Sequence, residues 1–131
     1  MVTTLFFLLM VKHFVCDFAL QGRFKQKDKH LLTSTKGHMH SLDHALGTAL
    51  VFLFVASFAF AQGKTIFVTV LLFPIFDYVF HFLIDWLKSN FVEANNLFQH
   101  DRSYWVLTSV DQSLHALTYF VMVILFDIYF F

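Results

Sequence analysis

Residues 69–88, TVLLFPIFDYVFHFLIDWLK, form a predominantly apolar stretch that carries four charged or histidine side chains. An α-helix of about 20 such residues has the length of the hydrocarbon core of a bilayer. Asp77, His81, Asp85 and Lys88 follow one another at intervals of three or four residues. They therefore share one sector, about 80° wide, of the helix surface. The stretch predicts a membrane-spanning helix with one polar face.

The rest of the chain has the same character, with 58% hydrophobic residues, 14% charged residues and 20 phenylalanines in 131 residues. Soluble domains carry about 25% charged residues, so the composition indicates an integral membrane protein. The net charge is zero with histidine neutral, which does not favour a nucleic-acid partner. We predict an all-α, up-and-down bundle of four transmembrane helices in a single domain, residues 1–131. The predicted helices run from Val2 to Leu20, Ser41 to Ala61, Thr65 to Leu87 and Tyr104 to Phe130.

Lysine and arginine are distributed unequally between the predicted loops. Loops 21–40 and 88–103 carry Arg23, Lys25, Lys27, Lys29, Lys36, Lys88 and Arg102, whereas the loop between the second and third helices has Lys64. Basic loops remain preferentially in the cytoplasm. We therefore predict that loops 21–40 and 88–103 are cytoplasmic and that both termini lie on the opposite side.

Each predicted span carries histidine and aspartate at the end that faces these basic loops. The clusters are His13, Asp17 and Gln21; His40, Asp43 and His44; Asp77, His81, Asp85 and Lys88; and Asp111, Gln112 and His115. In an up-and-down bundle these ends lie on the same side, so the clusters should share one layer in the cytoplasmic half of the membrane. An unpaired ionisable group at the bilayer centre costs about 2.5–3.5 kcal/mol, so these groups need partners or a cation.

Four interpretations of this layer remain open. A divalent metal site of Zn, Mn or Fe suits imidazole and carboxylate ligands without cysteine. Its ligands or their orienting groups would be His13, Asp17, His44, His81, Asp85, Asp111 and His115, with His40, Asp43 and Asp77 as further candidates. Haem held between histidines, a proton relay, and a structural network of Asp–His hydrogen bonds are the alternatives.

Three spaced motifs together resemble a known family. They are His13-x3-Asp17-Phe18-x-Leu20-Gln21, His81-Phe82-Leu83-Ile84-Asp85-x2-Lys88 and Asp111-Gln112-x2-His115, with a histidine, His40 or His44, early in the second span. This combination is similar to domain-of-unknown-function family 3307, small polytopic membrane proteins of bacteria and phages. The resemblance implies a polytopic membrane domain without assigning an activity, and we predict a location in the bacterial cytoplasmic membrane. The motif style is also similar to predicted membrane-bound metal-dependent hydrolases, which is analogy alone.

A metal in this layer would suit hydrolysis, because a divalent ion activates water and polarises the bond under attack. We predict Gln21, Lys88 and Gln112 as substrate-binding residues, with Lys88 placed to meet a phosphate from the headgroup region. A site at this depth favours a lipid or another membrane-bound substrate, so membrane lipids are the expected partners. The alternative from another class is a non-enzymatic structural or regulatory protein that acts on the host envelope or on a membrane-protein partner. The oligomeric state stays open.

Overall fold

The protein is an all-α, up-and-down bundle of four membrane-spanning helices. The computed structural model describes residues 2–20, 28–58 and 63–130, apart from the side chains of 63–68 and 130. The first span consists of an α-helix, α1 (Val2–Phe14), that continues as a π-helix, Val15–Leu20. It is followed by α2 (Thr35–Phe58), α3 (Gly63–Ala94) and α4 (Arg102–Phe130). All four spans are long and apolar enough to cross a membrane. The predicted fold class is thereby confirmed, whereas the single domain over residues 1–131 stays a prediction.

The second helix begins at Thr35, earlier than the predicted start at Ser41. Ser34 is the N-cap, because its Oγ accepts a hydrogen bond from the Gly37 backbone N–H at 3.1 Å. This cap brings His38 into the helix, where it donates to or accepts from Tyr78 Oη at 2.7 Å. The sequence contains the cap signal, but the basic composition of the segment favoured a loop.

The third helix continues to Ala94, beyond the predicted end at Leu87. It ends in a Schellman motif, in which the Leu97 N–H donates to Val92 O at 3.0 Å and the Asn96 N–H donates to Glu93 O at 3.2 Å. Asn96 has a φ of 50°, in the left-handed region where asparagine is among the better tolerated residues. The polar residues after Leu87 thus extend the helix above the apolar stretch.

The interior of the bundle is divided into an apolar half and a polar half. The apolar half contains the N-terminal part of α1, the C-terminal parts of α2 and α4, and the middle of α3. Its core side chains are Leu5, Leu9, Phe52, Val55, Phe73, Tyr119, Met122, Val123 and Phe126. Large hydrophobic side chains also cover much of the outer surface, as expected where lipid is the solvent. The His and Asp clusters occupy the other half, where α2 and α4 begin and α3 and the first span end.

Candidate functional site

Among the described residues, side chains from all four spans form three overlapping groups whose atoms are close enough to share a metal ion. Within each group, one nitrogen or oxygen from every member lies within 4.8 Å of the others. The groups are Asp17, His40, His44 and His81; His13, His81 and His115; and Asp85, Asp111 and His115. The first and third groups have no member in common. Helical periodicity explains the convergence, since residues four apart on one helix face the same interior.

The first group is built around Asp17, which lies in the π-helical part of the first span. Its Oδ1 is 3.2 Å from His40 Nε2 and 3.1 Å from His44 Nε2. His40 Nε2 also lies 3.1 Å from His81 Nε2. A neutral ring nitrogen carries either one hydrogen or one lone pair, so His40 Nε2 cannot satisfy both neighbours at once. π-Helical turns are rare and occur frequently at functional sites.

The third group joins α3 and α4. His115 Nε2 lies 3.5 Å from Asp85 Oδ1 and 3.6 Å from Asp111 Oδ1. Neither His115 Nε2 nor Asp111 Oδ1 has a hydrogen-bond partner among the described residues, although both are buried. Lys88 Nζ approaches Asp111 Oδ2 at 2.9 Å, and Lys29 Nζ approaches Asp85 Oδ2 at 2.6 Å. Asp85 Oδ2 also lies 3.7 Å from His40 Nε2 and 3.8 Å from His81 Nε2.

His13 lies between these two groups. Its Nε2 is 3.1 Å from Gln112 Oε1 and 3.2 Å from Asp17 Oδ2, and its Nδ1 is 3.1 Å from Tyr119 Oη. The ring therefore connects the first span to α4. Gln112 and Tyr119 hold its orientation from both sides.

The five histidines of the cluster are almost completely buried. Their exposed fractions are between 0% and 2% for His13, His40, His44, His81 and His115. The His44 and His81 ring centroids are 3.6 Å apart, and those of His81 and His115 are 4.2 Å apart, in stacked arrangements. The cluster is thus a dense polar layer inside an otherwise apolar bundle.

An ion pair lies directly beneath this layer, towards the apolar core. Lys12 Nζ donates to Asp77 Oδ2 at 2.6 Å, to Tyr119 Oη at 3.0 Å and to His44 O at 3.2 Å. Asp77 also accepts from Thr48 Oγ1 at 2.5 Å. Because Lys12 contacts His44 directly and His13 through Tyr119, this pair supports two histidines of the cluster.

A pocket of about 520 Å³ adjoins the cluster on the side away from the apolar core. Asp17, Asp85, Asp111 and Gln112 line it near the cluster. The remaining lining residues are Phe18, Lys29, His30, Lys88, Ser89, Val92, Glu93, Tyr104 and Thr108. A molecule in the pocket could therefore reach the carboxylates of Asp17, Asp85 and Asp111.

In the structure, the sequence-predicted residues either belong to the groups, pair elsewhere or line the pocket, apart from those that belong to none of these sets. The groups contain His13, Asp17, His40, His44, His81, Asp85, Asp111 and His115. Asp77 is instead paired with Lys12, and Asp43 belongs to none of the groups formed by the described residues. Gln112 and Lys88 line the pocket, whereas Gln21 lies outside the described residues. Both second-span candidates, His40 and His44, reach Asp17.

Sequence reasoning missed three polar side chains of this region. Tyr119 lies one turn beyond His115 on α4, so its spacing was an available signal. Lys12 lies beside His13 in the first span, and the sequence leaves two alternatives for it, pairing with an Asp of the cluster or snorkelling to the surface. Lys29 was interpreted as part of a basic topology signal, and no spacing distinguishes it from the other loop lysines.

Fold and cluster together define a small four-span membrane protein with an intramembrane His/Asp layer. A family model described as protein of unknown function (DUF3307) matches residues 5–130, and the chain belongs to this family. No curated protein and no solved structure matches the chain.

Proposed function

We propose that the His/Asp layer binds one or two divalent metal ions and that the protein is a metal-dependent hydrolase of a lipid or another membrane-bound substrate. The observation that carries the metal site is the convergence of buried nitrogen and oxygen atoms at separations that suit a shared ion. Ligand atoms bound at about 2.1 Å to one tetrahedral ion lie roughly 3.4 Å apart. The Asp17, His40 and His44 contacts at 3.1–3.2 Å, and the His115 contacts at 3.5–3.6 Å, bracket this separation.

Hydrogen bonding among the described residues does not satisfy the layer by itself. Among the described residues, His40 Nδ1, His81 Nδ1, Asp111 Oδ1 and His115 Nε2 are buried without a hydrogen-bond partner, and the last two lie 3.6 Å from each other. Each such group costs about 1–3 kcal/mol, and replacing a buried ionic network with apolar side chains is often stabilising. An ion between His115 and Asp111 would satisfy two of these four atoms.

The choice of ion follows from the donor atoms. The groups offer imidazole nitrogen and carboxylate oxygen, and Cys16 directs its thiol to Asp43 O at 3.7 Å. Zn, Mn and Fe suit this donor set. Because the first and third groups share no residue, the layer has enough donors for two ions.

The pocket supports the hydrolase part of the proposal. A divalent ion supplies an activated water nucleophile and stabilises the charge that develops on the bond under attack. Asp17, Asp85 and Asp111 reach the pocket, so an ion that they hold would be accessible to a substrate. Lys88 and Gln112 would bind that substrate. Both basic-loop segments on this side are proposed to be cytoplasmic, in the orientation that the Lys and Arg distribution predicts.

Two other interpretations of the layer are less compatible with the geometry. Haem between paired histidines requires a wide gap, whereas His44 and His81 stack at 3.6 Å. A proton relay requires polar groups throughout the membrane, whereas Leu5, Phe52 and Phe126 belong to an apolar core beyond the layer. A structural or regulatory role without metal remains the main alternative, and metal analysis separates it from the proposal.

The test is elemental analysis and absorption spectroscopy of protein purified in mild detergent without chelator or a metal-affinity tag. We expect one or two equivalents of Zn, Mn or Fe. His81→Ala removes a member of the first two groups and Asp111→Asn a member of the third, so each variant should bind less metal. His100→Ala, in a loop where the side chain is 79% exposed, and Asp43→Asn are matched controls that should keep it.

Folded protein that takes up none of these ions would contradict the metal site and leave the structural or regulatory role. A Soret band would indicate haem instead. If metal is present, hydrolysis of phosphoesters and lipids is then compared between the wild-type protein and Asp111→Asn. Activity that is equal in both would contradict the catalytic part of the proposal.

A further inference from the structure

Two lysines from different parts of the chain meet at the pocket. Lys29, in the connection before α2, is 8% exposed, and Lys88 lies near the end of α3. Both line the pocket, and each ammonium group is held by a carboxylate of the third group. A nearly buried lysine in a loop is costly unless it is paired, so its position is specific.

The carboxylates of Asp85 and Asp111 each face two directions. Their Oδ1 atoms point to His115, and their Oδ2 atoms contact Lys29 and Lys88. The Oδ2 atom of Asp85 also lies 3.7–3.8 Å from the Nε2 atoms of His40 and His81. An ion on the Oδ1 side is therefore compatible with a lysine on the Oδ2 side. With metal bound, two ammonium groups would remain on the pocket wall next to the ion.

The charge of the pocket depends on the metal. Among its described lining residues, Lys29 and Lys88 contribute two positive charges. Asp17, Asp85, Asp111 and Glu93 contribute four negative charges, which gives a net charge of −2 with histidine neutral. One divalent ion would neutralise this sum over the described lining residues, and two would make it positive. An anion should therefore enter only after the metal.

We propose that the metal-loaded pocket binds a phosphate group carried by a membrane lipid, with Lys29 and Lys88 as its cationic donors. This inference rests on the proposed metal site and specifies the substrate class of the same site. Lysine ammonium groups beside a divalent ion are a recurring arrangement for phosphate. Gln112, which also lines the pocket, can donate a further hydrogen bond from its amide.

The pocket wall favours a lipid over a free ion. Phe18, which is 76% exposed and lies in the first membrane span, lines the pocket together with Val92. These apolar side chains provide a surface for acyl chains beside the polar base. A volume of about 520 Å³ is in the usual range for a small ligand and suits a headgroup.

The experiment is native mass spectrometry of the detergent-solubilised full chain, which counts metal ions and bound lipid in the same spectrum. The probes are phosphatidate, diacylglycerol with the same acyl chains, and inorganic phosphate. We expect phosphatidate to bind only to the metal-loaded protein and diacylglycerol to bind much more weakly. Lys88→Gln should keep the metal and weaken phosphatidate binding about 10- to 100-fold, the value of one charge-assisted hydrogen bond.

Lys88→Arg retains the charge and should preserve most of the binding, and Lys36→Gln, an exposed lysine in the first turn of α2, should behave as wild type. For Lys29→Gln, phosphatidate binding is compared with wild type in protein that has kept its metal. Metal-loaded protein that binds phosphatidate and diacylglycerol equally, or a Lys88→Gln variant with unchanged affinity, would overturn the phosphate site and leave the metal site intact. Binding of inorganic phosphate without preference for phosphatidate would overturn the lipid source. Absence of metal uptake would refute the proposed function itself, and with it this inference.

Discussion

Replacing Lys12 with methionine should destabilise the protein strongly, because it leaves a buried carboxylate without its cation. Lys12 is 7% exposed and Asp77 is 1% exposed, and their charged atoms are 2.6 Å apart. In Lys12→Met the Thr48 hydroxyl still donates to Asp77, but the carboxylate has lost its cation. Breaking a buried ion pair by removing one partner costs about 3–5 kcal/mol.

Removing both charges should cost much less. In Lys12→Met/Asp77→Leu no charged member of the pair remains, and two apolar side chains fill the same space. A buried pair replaced in this way is often neutral in stability or stabilising. Tyr119 Oη and His44 O still lose a donor from Lys12, so we expect a cost of about 1–2 kcal/mol for the double variant.

The assay is a double-mutant cycle on reversible unfolding in mixed micelles, with Lys12→Met, Asp77→Leu and the double variant measured against wild type. We expect a coupling energy of about 3 kcal/mol or more between the two sites. The ion pair would not stabilise the bundle beneath the histidines if the two single variants changed the free energy of unfolding additively. A loss of less than about 1 kcal/mol in Lys12→Met would have the same meaning.

Three further predictions concern glycine packing, the support of one histidine and pH. Gly47→Ala should destabilise the protein by about 1–3 kcal/mol, because the new Cβ would lie 2.7 Å from Lys12 Cγ. The control is Gly37→Ala, which would place its Cβ 3.4 Å from the nearest atom and should leave the melting temperature unchanged. Thermal melts of both variants compare the two effects. Tyr119→Phe removes the hydroxyl 3.1 Å from His13 Nδ1 and should weaken metal binding about 10- to 100-fold in a chelator competition titration; unchanged affinity would mean that the hydroxyl does not orient the ring. Acidification should weaken metal binding, because imidazole binds metal only when neutral, and an affinity that is independent of pH throughout the range in which the protein stays folded would argue against histidine ligands.

Periodicity in the sequence was sufficient to predict which residues of one helix share its polar face. Asp77, His81, Asp85 and Lys88 face the interior together because residues three and four apart share a helix face. The helix ends were less predictable. The apolar stretch marks where lipid is met, whereas α3 continues to Ala94 as a polar helix above it.

The roles of individual carboxylates could not be predicted from spacing. Asp77 and Asp85 lie on the same face of α3, yet Asp77 is paired with Lys12 and Asp85 belongs to the third group. The two aspartates have different partners because different cationic side chains from other parts of the chain lie next to them at their two depths in the membrane. Lys29 could not be placed either, because its burial depends on how the connection before α2 packs over the bundle.

The sequence by itself determined the membrane location, the four helices and the shared layer of histidine and aspartate. These properties follow from the need to satisfy backbone hydrogen bonds in lipid and from the 3.6-residue helical period. Both apply to each helix by itself, independently of its neighbours. The tertiary structure decided which side chains pair. It separates the Lys12–Asp77 ion pair, next to the apolar core, from the histidine and aspartate groups proposed to bind metal. It also forms the adjoining pocket that Lys29 and Lys88 line. Distances between helices set these features, because Coulomb energy and hydrogen bonding depend on separations of a few tenths of an ångström that no spacing along the chain encodes.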